Sequence, residues 1–245
     1  MILAFLLAVQ QAGPPVDDAT RYKTCLSQAT ETPDQGVIAA TQWRLAGGGF
    51  LARQCLGVAY ANQQRWPAAA SAFEEAAREA QTAKDARADD FWAQAGNAWL
   101  AANEPVKARA AIDAALSSGG LSGLQLGEAH LDRARALVAL NDSENARAAL
   151  DKALTYAGDD PLAWLLSATL ARRMNDLPRA KKDIAEALKR APDEALVQLE
   201  AGNIYGMAGD AVGAKAAWER VIALAPGSPQ AASARQALGQ FGAEQ

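Results

Sequence analysis

Residues 161–228 read PLAWLLSATLARRMNDLPRAKKDIAEALKRAPDE followed by ALVQLEAGNIYGMAGDAVGAKAAWERVIALAPGS. Written one above the other, the two 34-residue strings fall into register. Ala168 stands over Gly202, Ala180 over Ala214, Ile184 over Trp218, Ala187 over Val221 and Pro192 over Pro226. Small residues recur where small residues stood, and large apolar ones where large apolar ones stood. Another step of 34 back from Ala180, Ile184 and Ala187 reaches Ala146, Leu150 and Ala153. A fixed period of this length marks a stacked repeat architecture, in which each unit buries its apolar face only against its neighbours.

The same spacing extends toward the N-terminus. Leu56, Gly57 and Tyr60 precede Ala69, Phe73 and Ala76. Trp92, Ala95, Gly96 and Trp99 precede Ala108, Ile112 and Ala115, and His130, Arg133, Ala134 and Leu137 precede Ala146. Five units then fill residues 50–228, starting near 50, 89, 127, 161 and 195. Turn signals divide each unit: Asn62-Gln63-Gln64, Asn103-Glu104-Pro105, Asn141-Asp142, Asn175-Asp176 and Gly209-Asp210. Pro161, Pro192 and Pro226 punctuate the junctions because proline has no N–H to donate. Residues 14–49 read as an N-terminal helical cap or a divergent repeat, with Trp43 as its large residue. Residues 229–245 read as a capping helix and tail.

This pattern resembles the tetratricopeptide repeat, a helix-turn-helix unit with W-x2-L-G-x2-Y in its first helix and A-x3-F-x2-A in its second. The resemblance implies an all-α fold, a right-handed α-solenoid of stacked helix-turn-helix repeats. It also implies a concave groove lined by the first helix of each unit, where other proteins lay peptide segments. Small residues at the eighth and twentieth positions let paired helices approach. The eighth position here holds Gly57, Gly96, Ala134, Ala168 and Gly202.

Composition narrows the function. The 245 residues carry 24 basic and 28 acidic side chains, and 50% are hydrophobic. So large an apolar share excludes a disordered chain. The net charge of -4 gives no basic surface for nucleic acid or anionic lipid. No stretch approaches the roughly 20 apolar residues of a bilayer span. The sequence contains no GxSxG, HExxH, GxxxxGK or GxGxxG, and one histidine. No catalytic residue, cofactor or metal site is expected from it. His130 takes the place of the family's tryptophan and reads as a packing residue. The neighbouring carboxylates Glu74-Glu75, Asp89-Asp90 and Asp159-Asp160 read as solvated faces or helix starts. Trp66, before Pro67, reads as an exposed turn residue.

The N-terminal MILAFLLAV, residues 1–9, reads as the apolar core of a secretory signal within residues 1–13. No Lys or Arg precedes it, and no small-x-small cleavage site follows. The expected location is periplasmic or secreted, with the cytoplasm as the alternative. Export would favour one disulfide between Cys25 and Cys55, whereas a cytoplasmic chain would bury two thiols.

On the concave side the resemblance places Asn62, Asn97, Arg135, Arg172 and Asn203 as candidate partner contacts. Amides can bond a peptide backbone, and arginine can meet a carboxylate. The Lys and Asn pairing with which some relatives hold a C-terminal carboxylate is missing. Arg135 and Arg172, in consecutive units, are expected side by side over Leu131, Val138 and Leu165, anchoring an acidic or C-terminal segment. The expected function is a non-catalytic protein–protein interaction scaffold with a protein or peptide partner. The alternative is a self-assembling structural protein, a homo-oligomer.

Overall fold

The computed structural model describes residues 17–243. The apolar run 1–9, with the expected signal, lies outside them. Among the described residues the chain forms thirteen helices and no strand. They are α1 (Asp18–Glu31), α2 (Pro33–Leu45), α3 (Gly49–Asn62), α4 (Trp66–Thr82), α5 (Ala88–Ala101), α6 (Pro105–Ser117) and α7 (Gly123–Ala139). There follow α8 (Ser143–Tyr156), α9 (Pro161–Arg173), α10 (Leu177–Arg190), α11 (Ala195–Met207), α12 (Ala211–Leu224) and α13 (Pro229–Ala243). Each odd-numbered helix up to α11 pairs with the even one after it. The odd helices also touch across units, α1 with α3, α5 with α7, and α9 with α11, which packs in turn on α13. They form one layer of the stack, and the even helices form the other.

The period is written into the turns. Asn141, Asn175 and Gly209, 34 apart, adopt positive φ of 60°, 61° and 76°. The next residue in each case is an aspartate whose carboxylate caps the second helix. Asp142 accepts from the Asn145 N–H at 3.2 Å, Asp176 from Arg179 at 3.2 Å and Asp210 from Gly213 at 2.9 Å. A left-handed residue followed by a capping aspartate reverses the chain and satisfies an orphan donor at the helix start. Gln64 and Asn103 hold the same left-handed place in the first two full units, with φ 58° and 57°. Arg65 and Glu104 follow them and make no side-chain cap.

The eighth position controls how closely paired helices approach. A Cβ on Gly57 would sit 2.5 Å from the Phe73 ring, one on Gly96 2.3 Å from Ile112 Cγ1, and one on Gly202 2.4 Å from Trp218 Nε1. Glycine is therefore required by contact, not by backbone angle. Ala134 and Ala168 serve the same place against Leu150 and Ile184. At the C-terminal end α13 covers the last core face, burying Ala231 and Ala234 and setting Phe241 edge-on to Trp218 at 5.5 Å. At the other end Cys25 of α1 and Cys55 of α3 are joined, with Cα atoms 6.2 Å apart.

The junction between α6 and α7 departs from the simple period. α7 starts at Gly123, one turn ahead of Gly127, and the loop before it folds back onto α5. Asp89 is buried and accepts from the Gly120 N–H at 3.1 Å and from the Ser118 hydroxyl. Asp89 lies in the first turn of α5, one of the helix starts expected of the acidic pairs, and from there its carboxylate also pins this loop.

Candidate partner-binding groove

The odd-helix layer encloses a groove of about 580 Å³ in the N-terminal half of the stack. Its floor is apolar, from Val58, Ala61, Phe91, Ala93, Ala98 and Leu121. Its walls are polar. Tyr22 of α1 donates its hydroxyl to Gln54 Oε1 of α3 at 2.8 Å, and Gln54 Nε2 donates to Gln94 Oε1 of α5 at 3.0 Å. Across from this ladder, Asn97 of α5 donates to Asp132 of α7 at 2.9 Å. Asp90, Gln125 and Glu128 complete the wall, and Trp66 closes one side from the start of α4.

A second, smaller cavity of about 190 Å³ lies between α7 and α9. Val138, Leu166 and Leu170 line it, with Arg135 and Arg173 among the lining residues.

The five expected contact residues fall in different places. Asn97 lines the groove. Arg135 donates to Asp132 at 2.8 Å, so Asn97 and Arg135 share one carboxylate. Asn62 donates to the Val58 carbonyl of its own helix at 3.0 Å. Asn203 accepts from Trp218 Nε1 at 3.2 Å. Arg172 forms a two-pronged pair with Glu200 of α11, at 2.6 and 3.2 Å, and the Glu200 carboxylate is buried. The arginine that shares a cavity with Arg135 is thus Arg173, and Arg172 already has its carboxylate. Leu131 and Leu165, expected as floor, are buried between helices.

The family model described as tetratricopeptide repeat matches residues 131–172 and 165–229. Residues 131–229 are tetratricopeptide repeats. Comparison by sequence with curated proteins finds no match. Among solved structures, PilF of Pseudomonas aeruginosa is similar at 15% identity with a TM-score of 0.73, over 93% of this chain and 97% of that one. PilW, a widely conserved type IV pilus biogenesis factor, is similar at 16% identity with a TM-score of 0.72, over 87% and 96%. YrrB, a repeat protein with an unusual peptide-binding site, is similar at 17% identity with a TM-score of 0.60, over 80% and 96%. At these identities the likeness is one of fold, and the fold is the expected α-solenoid.

Four of the groove's polar residues stand at repeat positions two and six. Asp90 and Glu128 hold the second position of their units, and Gln94 and Asp132 the sixth. The expected contacts Asn62, Asn97, Arg135, Arg172 and Asn203 stand at positions nine, twelve and thirteen, which leaves out Asp90, Gln94, Glu128 and Asp132. Trp66, expected in an exposed turn, is half-buried and forms part of the wall. Burial, with the adjacent Asp89, raises the pKa of Asp90 above the ordinary aspartate value. Arg87 is the cation lining the groove. Both arms of its fork are held by Asp85, at 2.8 and 2.7 Å, and this pairing keeps Asp85 down at about 2. No group of His, Cys, Asp and Glu among the described residues is placed to hold a metal ion. No described helix is long and apolar enough to cross a membrane.

Proposed function

We propose that this protein is a non-catalytic scaffold that holds a segment of a partner protein in the groove lined by α1, α3, α5 and α7. The observation that carries the reading is the groove itself: an apolar floor beneath amides that bridge successive helices and still have hydrogen-bonding capacity to offer. Each Gln54 and Gln94 amide has two donors and an acceptor with two lone pairs, more than the ladder consumes. An extended backbone laid along it would find partners at intervals without unsatisfied polar groups. The compartment we propose is an oxidising one in the cell envelope. The apolar residues 1–9, the Cys25–Cys55 pairing and the likeness in fold to PilW support it.

The test is site-directed crosslinking in the producing cells. A photoreactive residue at Asn97, in the groove, is compared with one at Ala110, exposed on α6. Adducts from Asn97 and none from Ala110 are expected. Adducts from Ala110 alone would move the binding surface to the outer layer.

A second reading, self-assembly, is favoured by the far end of the stack. Between α12 and α13, Val212, Leu238 and Phe241 line an open groove, and Val212 is 82% exposed. Light scattering decides it: a monomer at high concentration removes this reading and leaves the first untouched.

A further inference from the structure

The scaffold reading leaves the chemistry of the partner open, and the groove's charges bear on it. Three carboxylates line it, Asp90, Glu128 and Asp132, against the single guanidinium of Arg87. Arg87 is consumed by Asp85, and its guanidinium also lies 5.2 Å above the Phe50 ring. Asp132 is shared by Asn97 and Arg135. Asp90 and Glu128 enter no ion pair among the described residues, although other acidic side chains of the stack do: Glu75 and Glu79 with Arg53, Asp113 with Arg133, Asp193 with Arg220. Asp90 and Glu128 thus stand unpaired together where the surface is concave and the floor apolar. A low-dielectric concavity lined by one sign of charge focuses its field on an incoming group of the opposite sign.

We infer that the partner segment is basic, an extended stretch whose Lys or Arg side chain enters between α5 and α7 and pairs with Asp90 and Glu128. The inference rests on the scaffold reading above and specifies its ligand. The amide ladder of Gln54 and Gln94 holds the backbone of that segment, and Trp66 offers a ring beside it. An acidic segment in the same groove would add like charge to a site that already carries three carboxylates, and charge repulsion would exclude it. This reverses the sign expected from Arg135 and Arg172, because Arg172 is neutralised within the stack by Glu200.

Random nonapeptides displayed on phage and selected on the purified full chain test this directly. The selected peptides are expected to be at least twofold richer in Lys and Arg than the starting library. A synthetic selected peptide should bind at least fivefold more weakly to Asp90→Asn and to Glu128→Gln, both with unchanged melting curves, and more weakly as salt rises. Ala93→Phe, which fills the floor, should abolish binding. Selected peptides rich in Asp and Glu, or neutral, that lose binding with Ala93→Phe would overturn the basic partner while leaving the groove reading standing. Peptides indifferent to all three substitutions, or no selected peptides at all, would overturn both.

Discussion

The two halves of the stack use one repeat for opposite ends. From α1 to α7 the concave layer is wide, acidic and rich in amides. From α7 to α11 it is narrow and apolar, and its arginines are partly tied up, Arg172 by Glu200 and Arg135 by Asp132. The turns differ in the same sense. The C-terminal half caps α8, α10 and α12 with Asp142, Asp176 and Asp210, whereas α4 and α6 have no such cap. Each cap typically contributes about 0.5–2 kcal/mol. The C-terminal half is built from locally satisfied parts, and the N-terminal half leaves polar groups unspent. It draws on a long-range link, Cys25 to Cys55, to hold its first helix. In a stack where units contact only their neighbours, such differences stay local.

The largest expected effect breaks that link. Joining residues 30 apart stabilises by roughly 3–4 kcal/mol in the chain-entropy model. Cys55→Ser should release α1 and α2, and with them the Tyr22 to Gln54 bond at the groove's end. Hydrogen exchange should rise sharply in residues 18–45 while α9 to α13 keep wild-type protection. Uniform loss across the chain would show that the halves melt as one body.

Next in size is Arg172→Ala. A surface arginine contributes little, and on that view the substitution would touch binding alone. Here it strands the buried Glu200 carboxylate, so stability should fall by about 1.5–3 kcal/mol. Arg172→Leu combined with Glu200→Leu should recover most of it, since both charges leave together. Chemical denaturation of the single and double variants measures this, and full stability in Arg172→Ala would return that arginine to the list of free groove cations.

The period and the crossing contacts were plain in the sequence because both are local or strictly periodic. Gly57 under Phe73, Gly96 under Ile112 and Gly202 under Trp218 follow from positions eight and twenty-four alone. The groove was less visible. The partner of Arg172 lies 28 residues away at a sixth position, and nothing in the period says which side chain a neighbouring unit sets there. Asp89 stands at a helix start as expected, but its bonds to Ser118 and Gly120 are not legible in the period, because both partners lie in the loop before α7. Positions two and six, read along the units as positions eight and twenty-four were, would have placed Asp90, Gln94, Glu128 and Asp132 in a row.

A smaller effect probes the boundary between the halves. His130 on α7 is buried, and its Nδ1 has no partner among the described residues. Burial first, then the cations Lys152 and Arg133, push its pKa below the ordinary histidine value. The unfolded chain therefore takes up a proton that the folded chain refuses. Stability should be full above about pH 6.5 and decline as pH falls from there through the folded pKa. His130 is the single histidine, so His130→Phe should flatten the melting temperature between about pH 5 and 7. A slope that persists in that variant would belong to the carboxylates.

The smallest effect sharpens the contrast between the turns. Position fifteen of every unit is left-handed, and Asn103, Asn141, Asn175 and Gly209 suit it, since Asn and Gly visit that region most readily. Gln64 does not suit it: its side chain is too long to bond locally as Asn does, and the left-handed conformation costs an ordinary residue roughly 1–2 kcal/mol. Gln64→Gly removes that cost but adds freedom to the unfolded chain, which returns part of the gain. A net stabilisation of about 0.5–1 kcal/mol is expected, read as a higher denaturation midpoint at unchanged slope. Asn175→Ala, the matching change in the C-terminal half, should move the midpoint the other way. If both substitutions shift it in the same direction, the two turns carry equal strain, and the contrast between the halves reduces to their caps and to the Cys25–Cys55 link.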